Sequence, residues 1–341
     1  MKRGRGMVGR LAGFLALVLM ALPALADSPP PGTIITEHLM VGVSGDAEIY
    51  VRNKHVVELS TPDAQHTVIF VHGASYPGHT TFDMNLPGGS WMDWLAKRGF
   101  DVYAVDLRGY GRSTRPPEMN QPPEANKPVV DTAQAVKDLA YAVQYVLSRR
   151  NLTSLSLVGW SWGATVAGRY TTDEAYGRVN RLVLYAPQWL RDNAAPAEVA
   201  PGQVGAWRTV YPREARERWL KGVPAAKRDD IMPKEWFDSW VAETLGGKSD
   251  LQAPNGVVAD AISGWAAGKP LWRPDRLSVP TLVVQGEWDG ESPPEMGRAV
   301  FAQLKGNKRY VVIGEATHAM LLEKNRQQLF RAVQSFLEEP F

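Results

Sequence analysis

Six short apolar runs rich in β-branched residues punctuate the chain, at 67–71, 102–105, 155–158, 181–185, 281–284 and 310–313. The run Thr67-Val68-Ile69-Phe70-Val71 lacks the polar alternation of a half-exposed strand, so it fits a strand covered on both faces. Helical patterns separate most of these runs. Between 131 and 149, for example, Ala135, Leu139, Ala142, Val143 and Val146 fall on one helix face. Helices are also expected at 90–98, 164–170, 294–304 and 324–337. Strands alternating with helices predict an α/β chain with a mostly parallel central sheet and helices on both faces. An antiparallel hairpin is expected to open it, pairing 38–43 with 48–52.

The strand rhythm disappears from 187 to 275. That stretch holds Trp189, Trp207, Trp219, Trp236, Trp240, Trp265 and Trp272, with helical patterns near 213–220 and 234–245. It reads as an inserted, mainly helical cap between two parts of one core, 37–186 and 276–341. A chain of 341 residues suits this plan, because single cores stop growing at roughly 250–300 residues. The Pro-rich stretch 115–128 is expected to be a surface loop.

Residues 1–26 have the pattern of a signal peptide. Lys2, Arg3, Arg5 and Arg10 precede an apolar run over 11–22, and Ala24-Leu25-Ala26 offers a cleavage site before Asp27. The apolar run is shorter than the ~20 residues a spanning helix needs. The expectation is therefore export to the periplasm or medium, with no stable membrane insertion after cleavage and a tether over 27–36. Net charge is +2, and those four N-terminal cations account for more than all of it. The remainder carries no basic field of the kind nucleic acid requires. The chain has no cysteine, which excludes disulfides, thiolate metal sites and a thiol nucleophile.

Gly159-Trp160-Ser161-Trp162-Gly163 follows one expected strand and opens a helix. A serine on such a tight strand-to-helix turn is lifted above the sheet, the placement a nucleophile needs. Its hydroxyl must lose a proton to a base. The histidines are His38, His55, His66, His72, His79 and His318, and only His318 lies beyond the serine. In this architecture the order is nucleophile, acid, histidine, which makes His318 the candidate base. Asp289, just past the strand at 281–284, is the candidate acid that orients it. Glu287, Glu291 and Asp192 are the rival carboxylates. Trp160 and Trp162 flank the serine, consistent with an aromatic-lined pocket.

The segments His72-Gly73-Ala74-Ser75, Asp106-Leu107-Arg108-Gly109-Tyr110-Gly111-Arg112-Ser113 and Gly159 to Gly163, together with Asp289 and His318, resemble the α/β-hydrolase superfamily. The likeness runs from about 67 to the C-terminus, the cap apart. It is similar to the capped group of esterases, C–C bond hydrolases, haloperoxidase-like enzymes and prolyl aminopeptidases. The resemblance implies an α/β-hydrolase fold and an oxyanion hole formed by the backbone N–H groups of Ala74 and Trp162. It makes His72 a turn residue, the 106–113 run structural, and Ser75 and Trp160 candidate substrate contacts. Serine at 161 departs from the dehalogenases and epoxide hydrolases of the superfamily, which place aspartate there.

The expected activity is hydrolysis of carboxylic esters of apolar or aromatic small molecules through an acyl-enzyme, with no cofactor and no metal. His66, His72 and His79 lack the acidic cluster a metal site would add. Amide or peptide hydrolysis and C–C bond hydrolysis use the same triad and are the alternatives. An aminopeptidase would further need carboxylates such as Glu235, Asp238 or Glu243 to hold a free amine. A non-catalytic binding protein on the same fold is a third reading.

Overall fold

The apolar runs identified above become the central strands of one sheet, to which an opening hairpin adds two more. The computed structural model describes residue 1, residues 30–190 and residues 204–341. Residues 2–26 of the expected signal peptide, residues 27–29 of the tether and Asp192 lie outside the described residues, and the tether is shorter than expected because β1 already begins at Ile34. Residues 31–341 make one compact unit. Its strands are β1 (Ile34–Val43), β2 (Ala47–Val56), β3 (Thr67–Val71), β4 (Asp101–Val105), β5 (Leu155–Trp160), β6 (Val179–Tyr185), β7 (Trp207–Val210), β8 (Leu251–Pro254), β9 (Thr281–Gly286) and β10 (Lys308–Ile313). Eight of them form a sheet in the order β1-β2-β4-β3-β5-β6-β9-β10. β1 and β2 pair antiparallel, as does β2 with β4, and every pairing from β4 to β10 is parallel. Every residue of β3, β4 and β5 is buried, as their unbroken apolar pattern requires.

The helices are α1 (Gly78–Phe82), α2 (Trp91–Ala96), α3 (Thr132–Arg150), α4 (Trp162–Asp173), α5 (Ala215–Trp219), α6 (Arg228–Ile231), α7 (Lys234–Leu245), α8 (Gly256–Ser263), α9 (Pro294–Gln303) and α10 (Arg326–Glu338). Local chemistry sets several boundaries. Ser90 and Asp93 form a reciprocal capping box at the start of α2. Asp131 accepts the N–H of Gln134 to begin α3, and Asn151 in the left-handed conformation ends it.

Between β6 and β9 the described chain carries α5 to α8 and an antiparallel ribbon of β7 with β8. The tryptophan-rich helical pattern was readable there, whereas the ribbon was not. Its strands span four residues each and pair across some forty intervening residues, so no local signal announces them. This segment packs on the carboxyl ends of the sheet. Arg208 of β7 donates to the carbonyl of Ala74 at 2.6 Å, and the Lys324 N–H donates to the Ile231 carbonyl at 2.9 Å.

Candidate active site

Ser161 sits between β5 and α4 with φ 57° and ψ −120°. For a residue with a side chain this is strained backbone, the kind retained where geometry matters for function. The two glycines of the motif are needed for space. A Cβ on Gly159 would lie 2.3 Å from the Gly163 carbonyl oxygen, and one on Gly163 would lie 2.2 Å from the Val71 carbonyl oxygen. The turn is therefore packed directly on the end of β3. Its position is fixed further by the Ser161 N–H, which donates to the Tyr185 carbonyl at 2.9 Å.

The loop after β3 brings Gly73 against the serine, with only 3.3 Å between a Cβ built there and the Ser161 Cβ. The backbone N–H groups of Ala74 and Trp162 have no hydrogen-bond acceptor among the described residues. Buried N–H groups are nearly always paired, so two free ones beside one serine mark a place for an oxygen ligand. The carbonyl of Ala74, by contrast, is held twice, by Tyr110 Oη at 2.9 Å and by Arg208. Those bonds fix the peptide that follows Ala74, and the peptide whose N–H is left open is held through its own carbonyl, that of Gly73, which accepts from His72 Nδ1 at 2.7 Å.

His318 and Asp289 come from the loops after β10 and β9. The Nδ1–H of His318 donates to Asp289, with Oδ2 at 2.9 Å and Oδ1 at 3.0 Å. Asp289 Oδ1 also accepts the N–H groups of Glu291 and Ser292, at 2.9 and 2.7 Å. The His318 carbonyl accepts from Trp160 Nε1 at 3.0 Å and from Tyr185 Oη at 2.8 Å. Its ring lies 5.4 Å from the Trp160 ring. Trp160, expected as a substrate contact, is 4% exposed and props the histidine backbone from below. Ser75 stands at the edge of a neighbouring cavity, with Arg208 3.4 Å from its hydroxyl.

Ser161, His318 and Asp289 are 8%, 2% and 3% exposed, so the site is largely shielded from water. Burial pulls the His318 pKa down, but the charges of Asp289 and Glu291 outweigh it and hold the pKa above its ordinary value. Among the rival acids, Glu287 accepts the Glu315 N–H at 2.9 Å and takes no part in the pair. Glu291 is closer to the chemistry than its loop position suggested. Its Oε2 lies 3.6 Å from His318 Nε2, and its other oxygen pairs with Arg218 of α5. Nothing in the sequence links Arg218 or Arg208 to these loops, because both arrive from the segment between β6 and β9.

The remaining histidines are engaged elsewhere. Burial pushes the His72 pKa down to about 4. This ring donates from Nδ1 to the Gly73 carbonyl at 2.7 Å and accepts the Leu107 N–H on Nε2 at 3.0 Å, tying two loops together. In the 106–113 run, Asp106 accepts the N–H groups of His79 and Arg112, both at 3.0 Å, and pairs with His79 Nδ1 at 2.7 Å. Glu235 and Asp238 point to solvent on α7, where Asp238 pairs with Lys234. Glu243 lines the same cavity as Ser75.

Comparisons with known proteins agree with this fold. The model of the alpha/beta hydrolase family matches residues 68–332. An AB hydrolase superfamily protein of Bacillus subtilis is 34% identical over 286 residues, covering 82% of this chain and 95% of its own length. A pimeloyl-[acyl-carrier protein] methyl ester esterase of Neisseria meningitidis is 28% identical over 295 residues, covering 82% of this chain and 81% of its own. Among solved structures, a thermophilic esterase from Thermogutta terrifontis superposes with a TM-score of 0.58 at 20% identity, covering 88% of this chain and 98% of that one. By its sequence over most of its length and by its fold, this hydrolase belongs to the alpha/beta hydrolase family.

Proposed function

We propose that the protein hydrolyses carboxylic esters of small molecules whose reacting end is apolar or aromatic, with Ser161 as nucleophile, His318 as base and Asp289 as its orienting acid. The observation that carries this reading is the His318–Asp289 pair, its histidine carbonyl held by Trp160, the residue before a strained serine whose neighbouring N–H groups, at Ala74 and Trp162, have no partner among the described residues. Ser161 Oγ attacks the ester carbonyl as His318 Nε2 takes its proton. The carbonyl oxygen becomes an oxyanion held by the two N–H groups, an interaction worth about 3 kcal/mol for each donor. The tetrahedral intermediate then collapses, and the alkoxide leaves with the proton from His318. Water, deprotonated by the same histidine, releases the acid and restores the serine.

Esters rather than amides or C–C bonds are favoured by the name of the Neisseria relative, a methyl ester esterase. An aromatic surround supports the apolar preference. Trp219 of α5 lies 6.5 Å from Trp160 and 5.8 Å from Tyr76. In this reading the tryptophan-rich segment is a cap over the serine. A fluorophosphonate probe provides the test, with labelling of the wild type expected and none of Ser161→Ala. Equal labelling of both proteins refutes the assignment. Turnover of short p-nitrophenyl esters against amino-acid anilides selects the bond. Export belongs to the same proposal, and a mature chain starting at Asp27 in a periplasmic extract is its expected mark.

A further inference from the structure

Beside the loop that carries Ala74 and Ser75 lies a second space. A cavity of about 620 Å³ opens between the 109–115 loop of the core and the chain from Glu243 to Gln252. Its volume is that of a small-molecule site. Its walls carry Arg112, Arg115 and Lys248, and none of these has a carboxylate within 4 Å among the described residues. Arg52, Arg108, Arg149, Arg150 and Arg218 each face an acid, whereas Arg98, Arg181 and Arg326 resemble the three cavity cations in facing none within 4 Å among the described residues. Arg115 is the clearest case. It is half-buried, its partners are the neutral Met119 carbonyl and Gln252 side chain, and burial lowers its pKa with no acid to offset it. A guanidinium held this way has paid for desolvation without a counter-charge.

His79 lines the same cavity. Its Nδ1 is fixed by Asp106, and its Nε2 has no hydrogen-bond partner among the described residues. The acids of the wall are Glu243 and Asp250. Glu243 interacts electrostatically with Asp83, Arg52 and His79, which places its charge at the His79 end and leaves Arg115 without an acid nearby. Ser75 is also in the wall, one residue along the chain from Ala74.

We infer that this cavity binds an anionic group, a carboxylate or phosphate, gripped by Arg112 and Arg115 in the forked geometry that guanidinium offers such oxygens. Because Ser75 adjoins the open N–H of Ala74, the inference builds on the ester-hydrolase reading and sharpens it. The favoured substrate is an ester whose far end is acidic. Its carbonyl lies at Ser161 and its anion in the Arg115 cavity. A free anion is the other source of the same chemistry, and it would act as a ligand that clamps the two walls together.

The test has two arms, on the full mature chain. In the first, kcat/KM is compared for p-nitrophenyl butyrate and the mono-p-nitrophenyl ester of glutaric acid. The wild type is expected to favour the acidic ester about tenfold or more at low salt. The Arg112→Gln/Arg115→Gln double variant is expected to bring that ratio close to one through KM. In the second, melting temperature is read with and without glutarate or inorganic phosphate on a Ser161→Ala background, which needs no catalysis. A rise that is absent in the double variant supports the anion site. With that rise but no ester preference, the ligand is a free anion. Lys248→Gln, at a cation whose side chain makes no hydrogen bond or ion pair among the described residues, is the check should the double variant fold poorly, and a weakened rise is expected. Neither preference nor rise in the wild type, or a rise unchanged by these substitutions, overturns the inference. Failure of the hydrolase reading appears separately, as no turnover of the neutral ester and no fluorophosphonate labelling.

Discussion

Asp289 turns both carboxylate oxygens toward one nitrogen of His318, at 2.9 and 3.0 Å, while two backbone N–H groups grip Oδ1 from behind. The acid is thereby locked, and with it the imidazole tautomer that leaves Nε2 bare. Asp289→Asn keeps the shape but can present an amide N–H to Nδ1, which favours the opposite tautomer. The expected result is a fall in kcat of about 10⁴-fold with KM little changed, read with a p-nitrophenyl ester.

In the proposed mechanism His318 is the base, so its neutral form is the active one. Its raised pKa makes the rate fall on the acid side at a higher pH than an ordinary histidine would give. Glu291 contributes part of that rise across the 3.6 Å gap to Nε2. Glu291→Gln removes the charge, so the acid limb of the kcat/KM profile is expected to move to lower pH. A profile that does not move would show that Glu291 exerts no influence on the base.

The backbone at Ser161 stores strain of about 1–3 kcal/mol. Glycine relieves it at an entropic cost of about 0.5–1 kcal/mol. Ser161→Gly and Ser161→Ala are both expected to be inactive. Calorimetry should find the glycine variant more heat-stable than the alanine variant by about 1–3 °C.

Glu323 is a buried carboxyl that accepts from the Thr317 N–H and hydroxyl, beneath the His318 loop. Burial pushes its pKa up to about 8 despite those bonds. Its ordinary value is 4.5, so between about 4.5 and 8 the folded chain keeps a proton that the unfolded chain has lost. Stability therefore falls as pH rises through that window. Glu323→Gln is expected to flatten the decline in melting temperature from pH 5 to pH 8. An unchanged slope would assign the decline to other groups.

The parts of this picture readable in the sequence are those with a local cause. Unbroken apolar runs marked the buried strands at 67–71 and 155–158, and spacing alone set α7 at Lys234–Leu245. The order of Ser161, Asp289 and His318 along the chain named three residues of the loops after β5, β9 and β10, of which the fold bonds His318 to Asp289. What stayed hidden depends on packing between distant segments. Arg208 and Ala74 are 134 positions apart, and Arg218 and Glu291 are 73 apart, so no periodicity connects either pair. Trp160 shows the same limit. Its position beside the serine was readable, whereas the bond from its Nε1 to the His318 carbonyl was not.

Gly163 pressed on the Val71 carbonyl has a consequence for how long the catalyst lasts. It fuses the nucleophile turn to the strand that carries the open Ala74 N–H, in the most deeply covered part of the sheet. The histidine arrives instead after β10, the edge strand, where five of six residues are at least partly exposed. Fraying would begin there and carry off His318 while Ser161 and the N–H groups of Ala74 and Trp162 stay in place. In a denaturant series, turnover should vanish before the fold does, leaving an intact but idle scaffold that recovers on dilution.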